Sequence, residues 1–447
     1  MKLPDFIGFE PFNSVRSSMA APLPHHSFKQ DILRLTMEDL ASEQAKTFVF
    51  TVDESDDEDE PAAAEDVPVP RKIKFSEIQN TPHEPAVSEL RRIIPTAPET
   101  ENRLHQIGIK PKHAEREVVS VRRDGKFEFL FIFKENEYVC AEGTETHGKF
   151  DIPGELARQW LQAPDKNPNS KVLCPYLTGM DIIHRPSDKW VIDFGINTSE
   201  AWAALHPLPF EHIKKYVKPR RDRSRNDIRR EKWWLHCDMQ PKFRHGVALI
   251  DRYIATPGVS KHRIFTWVDS RVFSDSTTVS ICRDDDTTFG ILHSRFHELW
   301  SLRHSTWVAH NEGMRYAPFT AFETFPFPEG LSPDIASALY KNNPHAIAIA
   351  KAAKHLNELR DKWLNPPELV QRIPEVIKGF PDRLIPVDSK AFYALKKRTL
   401  FNLYNERPSW LTEAHAFLDD TVASAYGWPS DISDEEAIRR MLQLNIT

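Results

Sequence analysis

The sequence predicts an α+β protein: a mixed α/β domain followed by a helical C-terminal domain, behind a partly disordered N-terminal region. Three observations carry this. Asp124-Gly125 sits between VVSVRR and KFEFLF, and Asp-Gly suits the positive φ values of a tight hairpin turn. Residues 150–330 alternate short apolar runs with helical stretches, the mark of a mixed domain. Beyond residue 331 the apolar residues recur at helical spacing.

In chain order, residues 1–50 form an N-terminal adaptor segment in which DILRLTMEDLASEQA (31–45) has helical spacing and a mild apolar face. Residues 51–72 are acidic, then Pro/Ala-rich. They bury too little apolar surface to offset their ordering entropy and are expected to be a disordered linker. Residues 73–147 are proline-dotted, with a short helix expected near 86–94 and the hairpin at their end. In the domain at 148–330, KWVIDF (189–194) and RIFTWV (263–268) are expected strands, and PGELARQWL (153–161) and ILHSRFHELWSL (291–302) expected helices.

The domain at 331–447 contains PHAIAIAKAAKHLNELRDKWL (344–364) and SWLTEAHAFLDDTVASAYG (409–427). The second places Leu411, Ala414, Leu418, Val422 and Tyr426 on one stripe and stops at Gly427. Ser433 and Glu436 have capping-box spacing before a last helix.

The formal net charge is −6, but it is segregated. Residues 53–60, DESDDEDE, carry seven acids in eight positions. Residues 214–232, KKYVKPRRDRSRNDIRREK, carry ten basic side chains against three acids. Charge distribution governs nucleic-acid affinity more than the sum does. Lys214, Lys215, Lys218, Arg220, Arg221, Arg223, Arg225, Arg229, Arg230 and Lys232 are candidate DNA contacts, able to neutralise phosphates and release counterions. The bland reading is a solvated face paired with Asp222, Asp227 and Glu231. Lys261, His262 and Arg263 precede an apolar run and are a second donor cluster. Arg315 and Tyr316 lie in a loop before FETFPFP (322–328), and loops on a rigid scaffold commonly carry recognition. FETFPFP itself, and Trp233 and Trp234, read as packing rather than as base-stacking platforms.

Other chemistry is weakly signalled. The four cysteines (Cys140, Cys174, Cys237, Cys282) form no CxxC pair, which disfavours a zinc ribbon or a disulfide framework and suits reduced thiols in the cytoplasm. Mean hydropathy is −0.51, and no apolar run approaches the roughly 20 residues of a membrane helix. Asn365-Pro366-Pro367 is followed by Glu368, not by the aromatic that stacks on a flipped base in amino-methyltransferases; helix termination is the better reading. Asp284-Asp285-Asp286 reads as a turn between strands rather than a metal site. Asp388, after Pro381-Asp382, reads as a helix N-cap rather than part of a nuclease centre. No cofactor-binding glycine loop is apparent.

A set of strings in one order resembles a known family. They include GKFDIPGELARQWL (148–161), PYLTGMDI (175–182), EKWWLH (231–236), RYIATPGVSKHRIF (252–265), FGILHSRFHELWSLR (289–303), FETFPFP (322–328), KKRTLFNLYNERPSWL (396–411) and AYGWPSDISDEE (425–436). Together they resemble the C-terminal target-recognition and helical half of MmeI-like class I SAM-dependent DNA methyltransferases. The resemblance implies a DNA target-recognition domain at 148–330 without the catalytic domain, which lies upstream in that family. It implies a specificity subunit with no cofactor of its own. Double-stranded DNA and a separately encoded adenine-N6 methyltransferase holding S-adenosylmethionine are the implied partners, with other defence-system proteins beside them. The setting would be a bacterial restriction-modification or phage-defence system. Two alternatives stay open: a methyltransferase or nuclease with an unrecognised active site, and a regulator whose acidic run mimics DNA.

Overall fold

The computed structural model describes residues 31–36, 47–52, 72–74, 117–123, 126–164, 168–237, 239–307 and 313–446. Nearly all of the acidic stretch 51–72 and the helix expected at 86–94 lie outside them. Strand β1 (Asp31–Thr36) pairs antiparallel with β2 (Thr47–Val52). This corrects the helical reading of 31–45 over its first six residues. TFVFTV is rich in β-branched and aromatic residues, and a ladder partner outside the window outweighs local periodicity. β3 (Lys72–Lys74), β4 (Glu117–Arg123) and β5 (Lys126–Phe131) form a three-stranded sheet. Its register sets Arg123 opposite Lys126, so β4 and β5 pair antiparallel; the turn expected at Asp124-Gly125 lies outside the described residues.

From β6 (Cys140–Glu142) onward strands and helices alternate. β7 (Asp151–Pro153) leads into helix α1 (Gly154–Gln162). Then come β8 (Leu173–Leu177), α2 (Gly179–Ile183), β9 (Lys189–Ile192) and four short helices. These are α3 (Glu200–Ala203), α4 (Pro207–Tyr216), α5 (Lys218–Arg221) and α6 (Asp227–Glu231). Prolines at the first turns of α4 and α5 and the Asn226 cap on α6 break the basic segment into separate pieces.

Helix α7 (Pro241–Val247) precedes β10 (Arg252–Pro257), β11 (Val259–Ser260), β12 (Thr266–Asp269), β13 (Phe273–Ser274) and β14 (Thr278–Ile281). The RIFTWV run becomes strand only from Thr266, while Ile264 and Phe265 are buried ahead of it. Asp285 is the N-cap of α8 (Asp286–His293), accepting from the Thr288 N–H at 2.7 Å. The three aspartates therefore join a strand to a helix, not a strand to a strand. The single helix expected at 291–302 is two, α8 and α9 (Arg295–His304), separated at Ser294. The Ser294 hydroxyl donates to Ile291 O and its backbone is extended, which competes with helix continuation.

Next come β15 (Thr306–Trp307), β16 (Met314–Arg315), a π-helical turn at Pro318–Phe322, α10 (Pro344–Leu364), the hairpin β17 (Val370–Ile373)–β18 (Arg383–Pro386), α11 (Ser389–Lys397), α12 (Leu400–Glu406), α13 (Ser409–Ala425) and α14 (Asp434–Ile446). α10 matches its expected span and ends at Asn365. Asp388 caps α11, accepting from Ala391 N at 2.6 Å. Of the capping box before α14, only half forms. Ser433 accepts from Glu436 N, while the Glu436 carboxylate turns outward to Arg439 and Arg440.

Two four-stranded sheets organise the packing: β12-β10-β14-β6, and the mixed sheet β13-β8-β9-β7. β10 is buried on both faces. Ile254 joins the main core, while Tyr253 and Ala255 face a smaller one with Ile182, Phe243 and Val268. α8, α10 and α13 cover the first face, and Gly290 permits their close approach. A Cβ there would lie 2.6 Å from Ile349 Cγ2 and 3.0 Å from Ala353 Cβ. This core draws residues from both sides of position 330, so the helices of 331–447 share it with the sheet. The second core gathers Phe150, Trp190, Phe194, Phe210, Trp233 and Trp234 around β8 and β9. The Phe322 and Phe325 rings of FETFPFP are fully buried, and the Asn136 amide donates to Phe322 O and Phe325 O. FETFPFP is therefore a packed crossing segment.

Candidate nucleic-acid interface

The basic segment rests on an aromatic base. Phe210 and Ile213 of α4 and Val217 are buried in the second core, so the polar residues between them face outward with helical period. On the far side Trp233 and Trp234 return the chain to that core, and Trp234 Nε1 donates to Thr198 O at 3.0 Å.

The ten cations divide by environment. Arg221 is buried, at 3 % exposure. Its guanidinium donates to Cys237 Sγ at 2.8 Å, Thr146 O at 2.7 Å and Leu235 O at 3.2 Å, and burial lowers its pKa. The expectation that it contacts DNA is corrected: it ties α5 to the strand-flanking loop and cannot reach a duplex without leaving the core. Lys214 pairs with Glu211 at 3.1 Å and Lys218 with Asp222 at 2.7 Å. Arg230 pairs with Asp227 and donates to Ser224 O. These pairs are exposed and individually weak. Arg229 is half-buried, 3.3 Å from His147 Nε2. Burial first, and the neighbouring arginines with it, lower the pKa of His147 against the opposing pull of Glu145. Lys215, Arg220, Arg223, Arg225 and Lys232 are exposed and have no acidic partner among the described residues.

The second donor cluster divides too. Lys261 Nζ and His262 Nε2 both donate to Asn405 Oδ1, at 2.8 and 2.9 Å, and His262 packs near Phe401 and Tyr404. Lys261 is exposed; burial lowers the His262 pKa. Arg263 is buried and corrected as a contact. It donates to Thr256 Oγ1, Pro257 O and Met314 O at 2.8–3.1 Å, over the Tyr316 ring. Burial pulls its pKa down to about 10. Tyr316, the other correction, is fully buried with its hydroxyl 2.8 Å from His297 Nε2, and burial raises its pKa. Arg315 stays half-exposed, 3.5 Å from Glu142.

Apolar content keeps these cations from being mere decoration of a polar face: Tyr216 and Ile228, inside the basic segment, are 47 % and 69 % exposed. Sequence reasoning passed over Ile228, although an isoleucine flanked by aspartate and arginines was visible. Asn405 and His147 were also missed. Asn405 lies 143 residues beyond His262, and no local pattern announces such a partner.

The cysteines are free thiols, and no group of three or more His, Cys, Asp or Glu among the described residues has metal-holding geometry. Gly143, Gly179 and Gly290 press against the chain's own atoms, with a Cβ meeting Asp275 O, Thr277 O and Ile349 respectively. Those backbones face packing rather than a nucleotide cradle. No helix among the described residues is long and apolar enough to cross a membrane.

No family model matches the chain, and no curated protein matches it. Among solved structures it is similar to the type IIL restriction-modification enzyme MmeI in complex with DNA, with a TM-score of 0.48 and 20 % identity. The match covers 68 % of this chain and 35 % of that one, so the present chain spans about a third of that enzyme's length.

Proposed function

We propose that this chain is a DNA sequence-specificity subunit that binds target DNA and directs a separately encoded SAM-dependent adenine-N6 methyltransferase. One observation carries the reading: five exposed cations without acidic partners among the described residues lie on α4, on α5 and in the turns around α6, in a segment whose two ends, at Phe210–Val217 and Trp233–Trp234, are buried in an aromatic core. Such an array neutralises phosphates and releases counterions. The phosphate contacts fix register, and side chains at base edges supply the choice of sequence. Arg223 and Arg225, long and without an acidic partner among the described residues, suit a bidentate grip on guanine O6 and N7. Lys261, which already offers its ammonium to an exposed amide oxygen, suits a phosphate at a second point.

In this reading the methyl donor belongs to the partner, which flips the adenine and performs the transfer. The helical C-terminal region offers surfaces for docking it. The system is restriction-modification or phage defence. Two measurements test this. Methylome sequencing with and without the gene should show loss of one methylated motif, and the purified chain should show no stoichiometric S-adenosylmethionine binding by calorimetry. Methyl transfer to DNA by the chain alone, or an unchanged methylome, overturns the proposal.

A further inference from the structure

We infer that Ile228 is an apolar wedge that enters the minor groove of bound duplex DNA and unstacks a base step. The inference rests on the DNA-binding reading above and goes beyond it, because phosphate neutralisation needs no apolar contact.

Helix α6, Asp227–Glu231, has no buried member. It is held by its own ends: Asn226 Oδ1 accepts from Arg229 N at 3.0 Å, and Arg230 turns back to Ser224 O and Asp227. Immediately after it, Trp233 and Trp234 plunge into the core at 3 % and 9 % exposure. A short, capped helix on so firm a footing holds whatever it projects in a fixed place. What it projects is Ile228, at 69 % exposure one of the most exposed large apolar side chains in the described structure.

Charge selects the occupant. Ile228 is bracketed along the chain by Arg223, Arg225, Arg229, Arg230 and Lys232. The helix's own acids are Asp227, which Arg230 neutralises, and Glu231. An apolar protein surface would cover the isoleucine only by approaching the exposed cations that flank it along the chain. A minor groove presents phosphates along both walls and a stacked, apolar interior between them. Isoleucine is among the side chains that architectural proteins insert there, and insertion kinks and unwinds the duplex. Such deformation also contributes sequence preference at steps never touched by a hydrogen bond.

The test does not require the recognised sequence. Closed circular plasmid is relaxed by a topoisomerase in the presence of saturating full-length chain, and the linking-number shift is read after deproteinisation. Wild type should shift the distribution, and Ile228→Met, which keeps an apolar probe, should shift it similarly. Ile228→Ser and Ile228→Thr should each lower the shift to about one-third or less, while the salt dependence of binding stays that of wild type. A wild-type chain that binds plasmid without shifting it overturns the wedge and leaves the DNA reading intact. So does a folded Ile228→Ser chain that shifts as wild type does. A wild-type chain that fails to bind plasmid overturns both.

Discussion

The partition of the basic segment has a numerical consequence for salt. If Lys215, Arg220, Arg223, Arg225 and Lys232 each neutralise one phosphate, log Kobs falls against log salt with a slope of about −4.5. Raising salt from about 50 to about 200 mM then weakens binding about 500-fold. Replacing Arg223 and Arg225 together with alanine leaves three such contacts; the slope relaxes to about −2.7 and the same salt step costs about 40-fold. Asp222→Asn acts in the opposite direction. It releases Lys218 from its 2.7 Å ion pair and steepens the slope by up to about 0.9. Fluorescence anisotropy of a labelled duplex titrated at four or five salt concentrations reads all three chains. An Arg223→Ala/Arg225→Ala chain with the wild-type slope, or an Asp222→Asn chain with a shallower one, refutes the assignment of these residues to the phosphate backbone.

Other residues are predicted to act on stability. Arg263→Ala strands Pro257 O and Met314 O and should cost about 3–5 kcal/mol in chemical denaturation, with no change of salt slope where the chain still folds. Asn445→Ala removes a buried amide that accepts from Phe131 N and donates to Phe131 O and Thr324 O at 2.8–3.0 Å; a loss of about 2–4 kcal/mol is expected, read as a lower urea midpoint. Asp419 accepts from Arg295 N at 2.8 Å, but burial pushes its carboxyl up to about 7. The native state therefore holds a proton that the unfolded chain releases near its ordinary value of 3.8. Stability falls as pH rises from about 4 to about 7. Asp419→Asn should flatten that fall, and denaturation midpoints at pH 5 and pH 7.5 that keep the wild-type difference would disprove it.

Local pattern made legible those elements whose stabilising contacts are themselves local. α10 has its cap at Asn343, a proline at its first turn and an apolar stripe, so its span could be read directly. The antiparallel pairing of β4 with β5 joins two runs adjacent in sequence, so it too could be read locally. Elements decided by distant partners could not be read. DILRLT has helical spacing yet pairs with β2, and nothing inside its window says so. Ser294 divides α8 from α9 through its own hydroxyl, a choice that an apolar stripe continuing across the break conceals. The candidate interface follows the same logic. Composition located the cationic segment, but arginine looks identical in sequence whether it faces solvent or, like Arg221 and Arg263, fills a pocket of carbonyl oxygens.

That last distinction bears on how the surface works. Arg221 is the one buried cation of the segment, and its three acceptors come from residues 146, 235 and 237. It thereby fastens α5 to both the strand-flanking loop and the stretch that carries Trp233 and Trp234. Without such a tie, three helices of four, five and ten residues would be too short to keep a fixed arrangement, since isolated helices of that length are marginal in water. Cations on a loose segment lose entropy when they bind and tolerate any phosphate spacing. Cations on an anchored one are spaced before DNA arrives, which favours one register over its neighbours. Arg221→Leu should therefore separate two quantities that surface variants change together. It keeps the exposed cations, hence the salt slope, but loosens their spacing, so the ratio of specific to non-specific affinity should fall. A variant that folds yet retains that ratio would show that the exposed charges alone suffice, and that the buried arginine serves only stability.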